Sequence, residues 1–434
     1  MTASGNGSAC SPDDIPHARQ GRTAFITDAE DIVFWEKKLD AWVENIRNVS
    51  ALPLRLELWN GQHYDFSSGT PEVTLKVPHA SAITSLLTPS LANLGEAYVE
   101  GKIEVEGKVK SIIQVANGLA SNTLKAEGRL GRMVRSVTHT KKRDAEAIQY
   151  HYDVSNDFYK LFLDENMVYS CAYFENGDED LGAAQLKKID HILQKIQLKP
   201  GQTLLDIGCG WGALVLRAAQ KFGARCVGVT LSKNQYALAR ERVEAAGLSD
   251  RIEIRLQDYR DVTGTFDRIT SVGMFEHVGI KNLPTYFAQI RKLLADGGMA
   301  MNHGITSTDI ENGESPYGAG EFIDKYVFPA GELPHISTVL RTMQEGGLEA
   351  FDVENLRRHY ARTCGIWADN FEANAEAIHR VTDEKRYRIW RVYLAGSAYG
   401  FERDWISLYQ VICTKAGRSA QQLPWSRKYI YAQQ

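Results

Sequence analysis

From Ala183 onward the apolar positions alternate between two spacings. Helical spacing governs Ala183–Ile196, Trp211–Gly223, Lys233–Gly247 and Tyr286–Gly298, and short apolar runs separate them at Thr203–Gly208, Cys226–Ser232, Arg251–Asp258 and Phe266–Gly273. Strands parted by helices of about a dozen residues cannot pair as hairpins, so they predict a parallel sheet covered on both faces. The expected fold class is α/β, a doubly wound Rossmann-like domain spanning residues 148–434.

The first part of the chain has another rhythm. Helical spacing in FWEKKLDAWVENI (Phe34–Ile46) gives way to alternation in Leu54–Trp59. Asn60-Gly61 and the run Tyr64-Asp65-Phe66 follow. Alternation broken by Asn-Gly predicts a hairpin. Val73–Val77 reads as another half-buried strand, and Leu94–Val109 ends in a short strand ahead of a helix. The result is a smaller N-terminal α+β domain over residues 26–120, preceded by a disordered tail over residues 1–25.

Residues 121–147 carry seven cations (Lys125, Arg129, Arg132, Arg135, Lys141, Lys142, Arg143) against three carboxylates, a net of +4. Two readings stay open for this basic linker. It is either a solvated helical connection or a strip that meets anionic lipid headgroups, each cation adding about 1 kcal/mol near such a surface.

Composition narrows the classes. With 434 residues, 44% hydrophobic, 24% charged and a net charge of −4, the chain can bury a sizeable core, and nothing in it calls for nucleic acid. Six scattered cysteines form no CxxC pair or Cys/His cluster. They suggest reduced thiols in a cytoplasmic protein, with no metal site and no disulfide frame. No apolar run is long enough to span a bilayer.

Three strand ends carry the candidate chemistry. In such sheets ligands bind beyond the carboxyl ends of the strands, near the switch point. The first turn, Asp206-Ile207-Gly208-Cys209-Gly210-Trp211-Gly212, is rich in glycine, which lets the backbone approach a ligand. It departs from the GxGxxG of dinucleotide sites. A second strand ends in Thr230–Gln235, with polar groups suited to a ribose or an amino acid. A third ends in Gln257-Asp258-Tyr259, which suits adenine. Together they describe a site for S-adenosylmethionine.

The sequence resembles the cyclopropane-fatty-acid synthases, including the mycolic acid cyclopropane synthases, over residues 145–415. The motifs are HYDVSNDFYKLFLD (His151–Asp164), YSCAYF (Tyr169–Phe174), LDIGCGWG, VGVTLSKNQ, LQDYRD, SVGMFEHVG (Ser271–Gly279), DKYVFPAGELP (Asp324–Pro334) and HYARTC (His359–Cys364). The N-terminal domain is similar to the smaller domain of the long bacterial synthases, which act on membrane phospholipids.

The resemblance implies that S-adenosylmethionine lies against Tyr169, Ser170, the turn from Leu205 and Asp206 through Gly208, Gly210, Trp211 and Gly212, the segment Thr230, Leu231 and Gln235, and Asp258, Tyr259 and Arg260. It further implies a bicarbonate ion held by Cys171, Glu276, His303, the backbone at Ile305, and Tyr360. Gly304 stands where relatives often have Thr. Ser397 stands where many have a cysteine, which argues against a required thiol nucleophile.

The implied reaction explains these residue types. A lipid double bond attacks the sulfonium methyl, a carbocation forms, and a base must remove a proton from the delivered methyl to close a ring. A small bound anion can act as base where a side chain close to the cation would be alkylated. Aromatic faces at Tyr169, Tyr173, Phe174, Phe275, Tyr326 and Phe328 are candidates to stabilise the cation. The expected activity is cyclopropanation of unsaturated phospholipid in a membrane by a peripherally associated enzyme, with a homodimer favoured by bilayer contact. Methyl branching without ring closure, or N-methylation of an amine, is the alternative.

Overall fold

The computed structural model describes residues 29–124, 154–311, 315–329, 331–417 and 423–431. The expectations for the tail (1–25), for most of the linker (121–147) and for His151 lie outside the described residues.

In the N-terminal domain the alternation becomes one buried face. Every second residue of β1 (Leu54–Leu58) and β3 (Val73–Val77) is buried, which places Leu54, Leu56, Leu58, Val73, Leu75 and Val77 in one apolar core. Asn60-Gly61, with Gly61 at φ 84°, returns the chain so that β2 (His63–Asp65) pairs antiparallel with β1. β3 lies parallel to β1, and β4 (Glu104–Glu106) completes the sheet order β2-β1-β3-β4. Helices α1 (Ala29–Val49), α2 (Leu91–Val99) and α3 (Val109–Leu124) cover this face. Leu39, Val43 and Ile46 of α1, at helical spacing, enter the same core.

The second domain is the predicted α/β fold. Its strands are β5 (Thr203–Ile207), β6 (Arg225–Thr230), β7 (Ile252–Leu256), β8 (Phe266–Val272), β9 (Leu294–Ser307), β10 (Leu348–Asn355) and β11 (Ile406–Lys415). They stand in the order β10-β11-β9-β8-β5-β6-β7, all parallel except β11, which runs antiparallel to both neighbours. Helix α4 (Leu181–Lys195) precedes β5, helices α5 (Ala213–Phe222), α6 (Lys233–Ala245) and α7 (Leu283–Leu293) are the crossovers, and two apolar cores lie on opposite faces of the sheet. The helical spacing read through Gly298 is cut short: α7 stops at Leu293 and β9 begins at Leu294, with Gly297 at φ 77° in the strand's first turn of chain.

Three further helices, α8 (Ala319–Tyr326), α9 (Arg357–Ala373) and α10 (Glu384–Glu402), lie over the strand ends and meet the small domain. Arg388 donates to the carbonyl of Tyr98 and to Glu104, both at 2.9 Å. The ion pairs Lys325–Glu96 and Lys385–Glu100 add charge complementarity across the seam.

Candidate active site

The chain leaves β5 toward β6 and β7 on one side and reaches β8 and β9 on the other, so the carboxyl end of β5 is the switch point. A cleft opens there. Gly208 (φ 79°) and Gly210 (φ 54°) hold the turn in a left-handed conformation, and a Cβ on Gly208 would come within 3.1 Å of Met274. Cys209 is buried against Gly228, where a Cβ would approach its sulfur to 3.0 Å, so the cysteine serves by its size.

Ten of the residues expected at the cofactor line this cleft: Tyr169, Ser170, Asp206, Gly208, Gly210, Trp211, Thr230, Leu231, Gln235 and Tyr259. Their polar groups are already organised. Thr230 Oγ1 donates to Gln235 at 2.8 Å, Ser232 caps α6, and the Trp211 indole donates to Asn156 at 2.8 Å.

Four expected residues stand apart from the lining. Leu205 is a core residue of β5, and Gly212 packs against Ala239 at the start of α5. The Asp258 carboxylate is taken by Arg260, whose Nε and Nη2 donate to it at 2.9 and 2.7 Å, so their neighbours Gln257 and Tyr259 face the cleft instead. An acidic residue beside a strand end looks ligand-binding in sequence. Here a guanidinium two residues on pairs with it.

Sequence reasoning missed Lys188. It sits on the buried stripe of α4, lines the cleft and donates to Ser170 Oγ at 2.8 Å. Burial lowers its pKa to about 8, while Cys171, Asp164 and Asp206 oppose that shift. Asp206, itself buried and accepting from Thr270 at 2.7 Å, is raised by burial to about 6. A lysine on the apolar stripe of an amphipathic helix was the available signal, since lysine is almost never fully buried without a partner.

Beside the cleft lie the residues expected to hold an anion. Glu276 occupies a short turn, Phe275–His277, just beyond β8, and its Oε1 accepts the Ile305 amide proton at 2.7 Å. Burial raises its pKa to about 7. His303, on β9, is held by burial well below the ordinary imidazole value and is therefore neutral. The Gln410 side-chain amide meets its Nδ1 at 3.2 Å. Cys171 is fully buried, and burial pushes its thiol far up, so no thiolate forms. It reaches the carbonyl of Leu356 at 3.9 Å, at the start of the helix that carries Tyr360. The Tyr360 hydroxyl is likewise held well above the ordinary value by burial, with Cys171, Tyr393 and Glu276 among its electrostatic neighbours.

Two atoms in this group have no hydrogen-bond partner although buried: Glu276 Oε2 and His303 Nε2. Gly304 has a plain steric cause, because a Cβ there would fall 1.7 Å from the Phe275 ring. Phe174, Phe275 and Tyr326 are buried in the core, whereas Tyr169, Tyr173 and Phe328 are half-buried at its edge.

A family model described as mycolic acid cyclopropane synthetase matches residues 139–411. The chain belongs to that family. Residues 41–128 match a separate domain of unknown function. A probable fatty acid methyltransferase of Pseudomonas putida is 47% identical over 383 residues, covering 88% of this chain and 96% of its own. The cyclopropane-fatty-acyl-phospholipid synthase of Escherichia coli is 35% identical over 352 residues, or 80% of this chain and 89% of its own. Among solved structures, mycolic acid cyclopropane synthase CmaA1 complexed with SAH and CTAB superposes with a TM-score of 0.60 at 36% identity, covering 62% of this chain and 98% of that one. The protein is an enzyme of the S-adenosylmethionine-dependent methyltransferase class in the fatty acid methyltransferase and cyclopropane synthase family. Among the described residues no helix is long and apolar enough to cross a membrane.

Proposed function

We propose that this enzyme converts cis double bonds of unsaturated phospholipid acyl chains into cyclopropane rings, with bound bicarbonate as the base. The observation behind this reading is the pair of orphaned buried atoms, Glu276 Oε2 and His303 Nε2. One is an acceptor and the other, with the imidazole proton on Nε2, a donor, and a buried polar group without a partner is costly. Bicarbonate offers the complementary set, a charged oxygen for His303 and an acid proton for Glu276. With a pKa near 7, Glu276 can take that proton at neutral pH. Neutral Tyr360 remains a hydroxyl donor rather than a competing phenolate.

S-adenosylmethionine, when bound in the cleft, supplies an electrophilic methyl on a sulfonium. The alkene π pair forms the new carbon–carbon bond while the carbon–sulfur pair returns to sulfur. Loss of a proton from the delivered methyl then lets the carbon–hydrogen pair close the ring. The chain's own residues hold the reacting methyl near the base and exclude thiolate and imidazolium from the cation's surroundings. The phospholipid lies in a membrane, which the enzyme meets from one side.

A second reading rests on the name of the Pseudomonas putida relative, a fatty acid methyltransferase. If a proton on the chain carbon next to the cation is lost instead, the same atoms give a methyl-branched alkene with no ring. Expression in a bacterial host followed by gas chromatography–mass spectrometry of its fatty acids separates the two. A ring-bearing product one methylene heavier is expected, and a branched product of the same mass, or none, would overturn ring formation.

A further inference from the structure

A second cavity lies at the seam between the domains, with a volume of about 150 Å³. Leu75, Val105 and Ala116 form one side, from the small domain, and Phe322, Gly396 and Trp405 form the other. Its one charged lining residue, Arg391, is already engaged by Glu372 at 2.6 Å, the Tyr98 hydroxyl at 3.0 Å and the Gly107 carbonyl at 3.2 Å. Protein interiors are packed as densely as organic crystals, so an apolar gap between two well-formed cores is a candidate site for an apolar ligand.

Gly396 is the place on the lining where that gap can be filled. It lies in the interior of α10, where glycine weakens a helix. A Cβ there would meet nothing within 4 Å, so no packing constraint requires the glycine.

The cavity is one aromatic layer away from the cofactor. Tyr393 lines it, and the Tyr393 hydroxyl meets that of Tyr169, a cleft residue, at 3.1 Å. Phe328 packs against both Tyr393 (centroids 5.8 Å) and His277 of the cleft (5.5 Å). Tyr360, beside the expected anion site, counts Tyr393 among its electrostatic neighbours. A chain whose reacting carbons sit at this layer would find the cavity directly beyond it.

We infer that the cavity takes the methyl-terminal part of the acyl chain, beyond the reacting double bond, and that the N-terminal domain thereby selects chain length. This rests on the lipid-alkene reading above. The lining offers no unengaged charge for a headgroup, so the occupant is the apolar end. The Pseudomonas putida relative, named for a fatty acid substrate, matches 383 of 434 residues and must share most of the small domain.

The test fills the space. Gly396→Phe projects a ring into the cavity without a backbone clash, and Gly396→Ala is the control. Full-length enzyme is given phosphatidylethanolamine–phosphatidylglycerol vesicles with myristoleoyl or oleoyl chains, which share the bond position and differ only beyond it. Turnover of oleoyl chains should fall at least about tenfold relative to myristoleoyl in the Phe variant, with S-adenosylhomocysteine affinity and the Ala variant unchanged. In parallel, an oleoyl phospholipid bearing a terminal diazirine is photolysed on wild-type enzyme, and label is expected within residues 73–119 or 391–406.

Equal loss on both chains, no loss on either, or label confined to other segments overturns the inference. If label reaches these segments but no carbon is transferred to alkenes, the cavity assignment stands and the reaction reading falls. If carbon is transferred and label lands elsewhere, the inference alone falls. Neither transfer nor labelling overturns both.

Discussion

The cofactor cleft and the seam cavity share a wall at Tyr169 and Tyr393 but are built in opposite ways. The cleft is made of strand ends, with left-handed glycines, helix caps and side chains that already bond one another, such as Thr230 to Gln235. The cavity is made of faces: two sheet strands, two helices of the small domain and one long helix of the catalytic domain meet around it and leave it empty of polar demand. The difference teaches where each kind of specificity resides. Chemistry needs fixed polar atoms at short range, which strand-end turns provide. Chain selection needs only shape, which two rigid cores can provide between them.

The sharpest way to break this division is at the polar residues beside the cleft. Glu276→Gln keeps the size of the side chain and removes its proton-accepting role. Turnover should fall by about 10²–10⁴-fold, the usual range for a general base, while titration calorimetry finds S-adenosylhomocysteine bound as tightly as by wild type. Loss of cofactor binding as well would make Glu276 a structural residue and move the chemistry elsewhere.

The same residue gives a pH signature. Burial raises the Glu276 carboxyl from 4.5 to about 7, so the folded enzyme keeps a proton that the unfolded chain releases. This relative stabilisation is complete below pH 4.5 and is lost as pH climbs through 7. Across that window wild type should lose on the order of 3 kcal/mol of stability relative to Glu276→Gln, read from urea unfolding at pH 5 and pH 8. A constant difference between the two proteins would mean that Glu276 is not buried in the folded state. Activity should move the other way, rising from pH 6 to 8 as the carboxylate forms.

Gly304 follows His303 on β9, and its absent Cβ makes room for the Phe275 ring. Gly304→Ala forces that ring aside and should cost about 1–3 kcal/mol, as overpacking does, measured by thermal unfolding. Pairing it with Phe275→Leu should recover part of the loss. If the single variant is neutral, the ring is not fixed there and the residue types of the anion site have another cause.

The sequence reveals the two regions unequally, for the same physical reason. The glycine turn from Asp206 to Gly212, the capped segment at Thr230 and the strand order up to β8 are local patterns, visible because a short stretch of chain both forms the element and bears the ligand-facing atoms. Pairings at long range are not visible this way. β3 lies parallel to β1 across an intervening hairpin, and the cavity joins Leu75 to Trp405. Asp258 pairs with Arg260 within its own turn, a contact the local pattern did not announce. Ser397, read only as a missing thiol, turns out to line the seam cavity and not the cofactor cleft.

Lys188 tests how far the cleft's polar order matters. Its ammonium donates to Ser170, which lines the cofactor site, from the buried face of its helix. Burial lowers its pKa to about 8, so it is charged at pH 7 and neutral by pH 9.5. Lys188→Met preserves length and removes one hydrogen bond of roughly 1 kcal/mol, so cofactor affinity at pH 7 should weaken about fivefold. Wild-type affinity should itself decline between pH 7 and 9.5 as the ammonium loses its proton, and the Met variant should be flat over that range. A seam-cavity substitution such as Gly396→Phe should leave both profiles as in wild type. If Lys188→Met instead alters chain-length preference and spares cofactor affinity, the division between polar cleft and apolar seam is drawn in the wrong place.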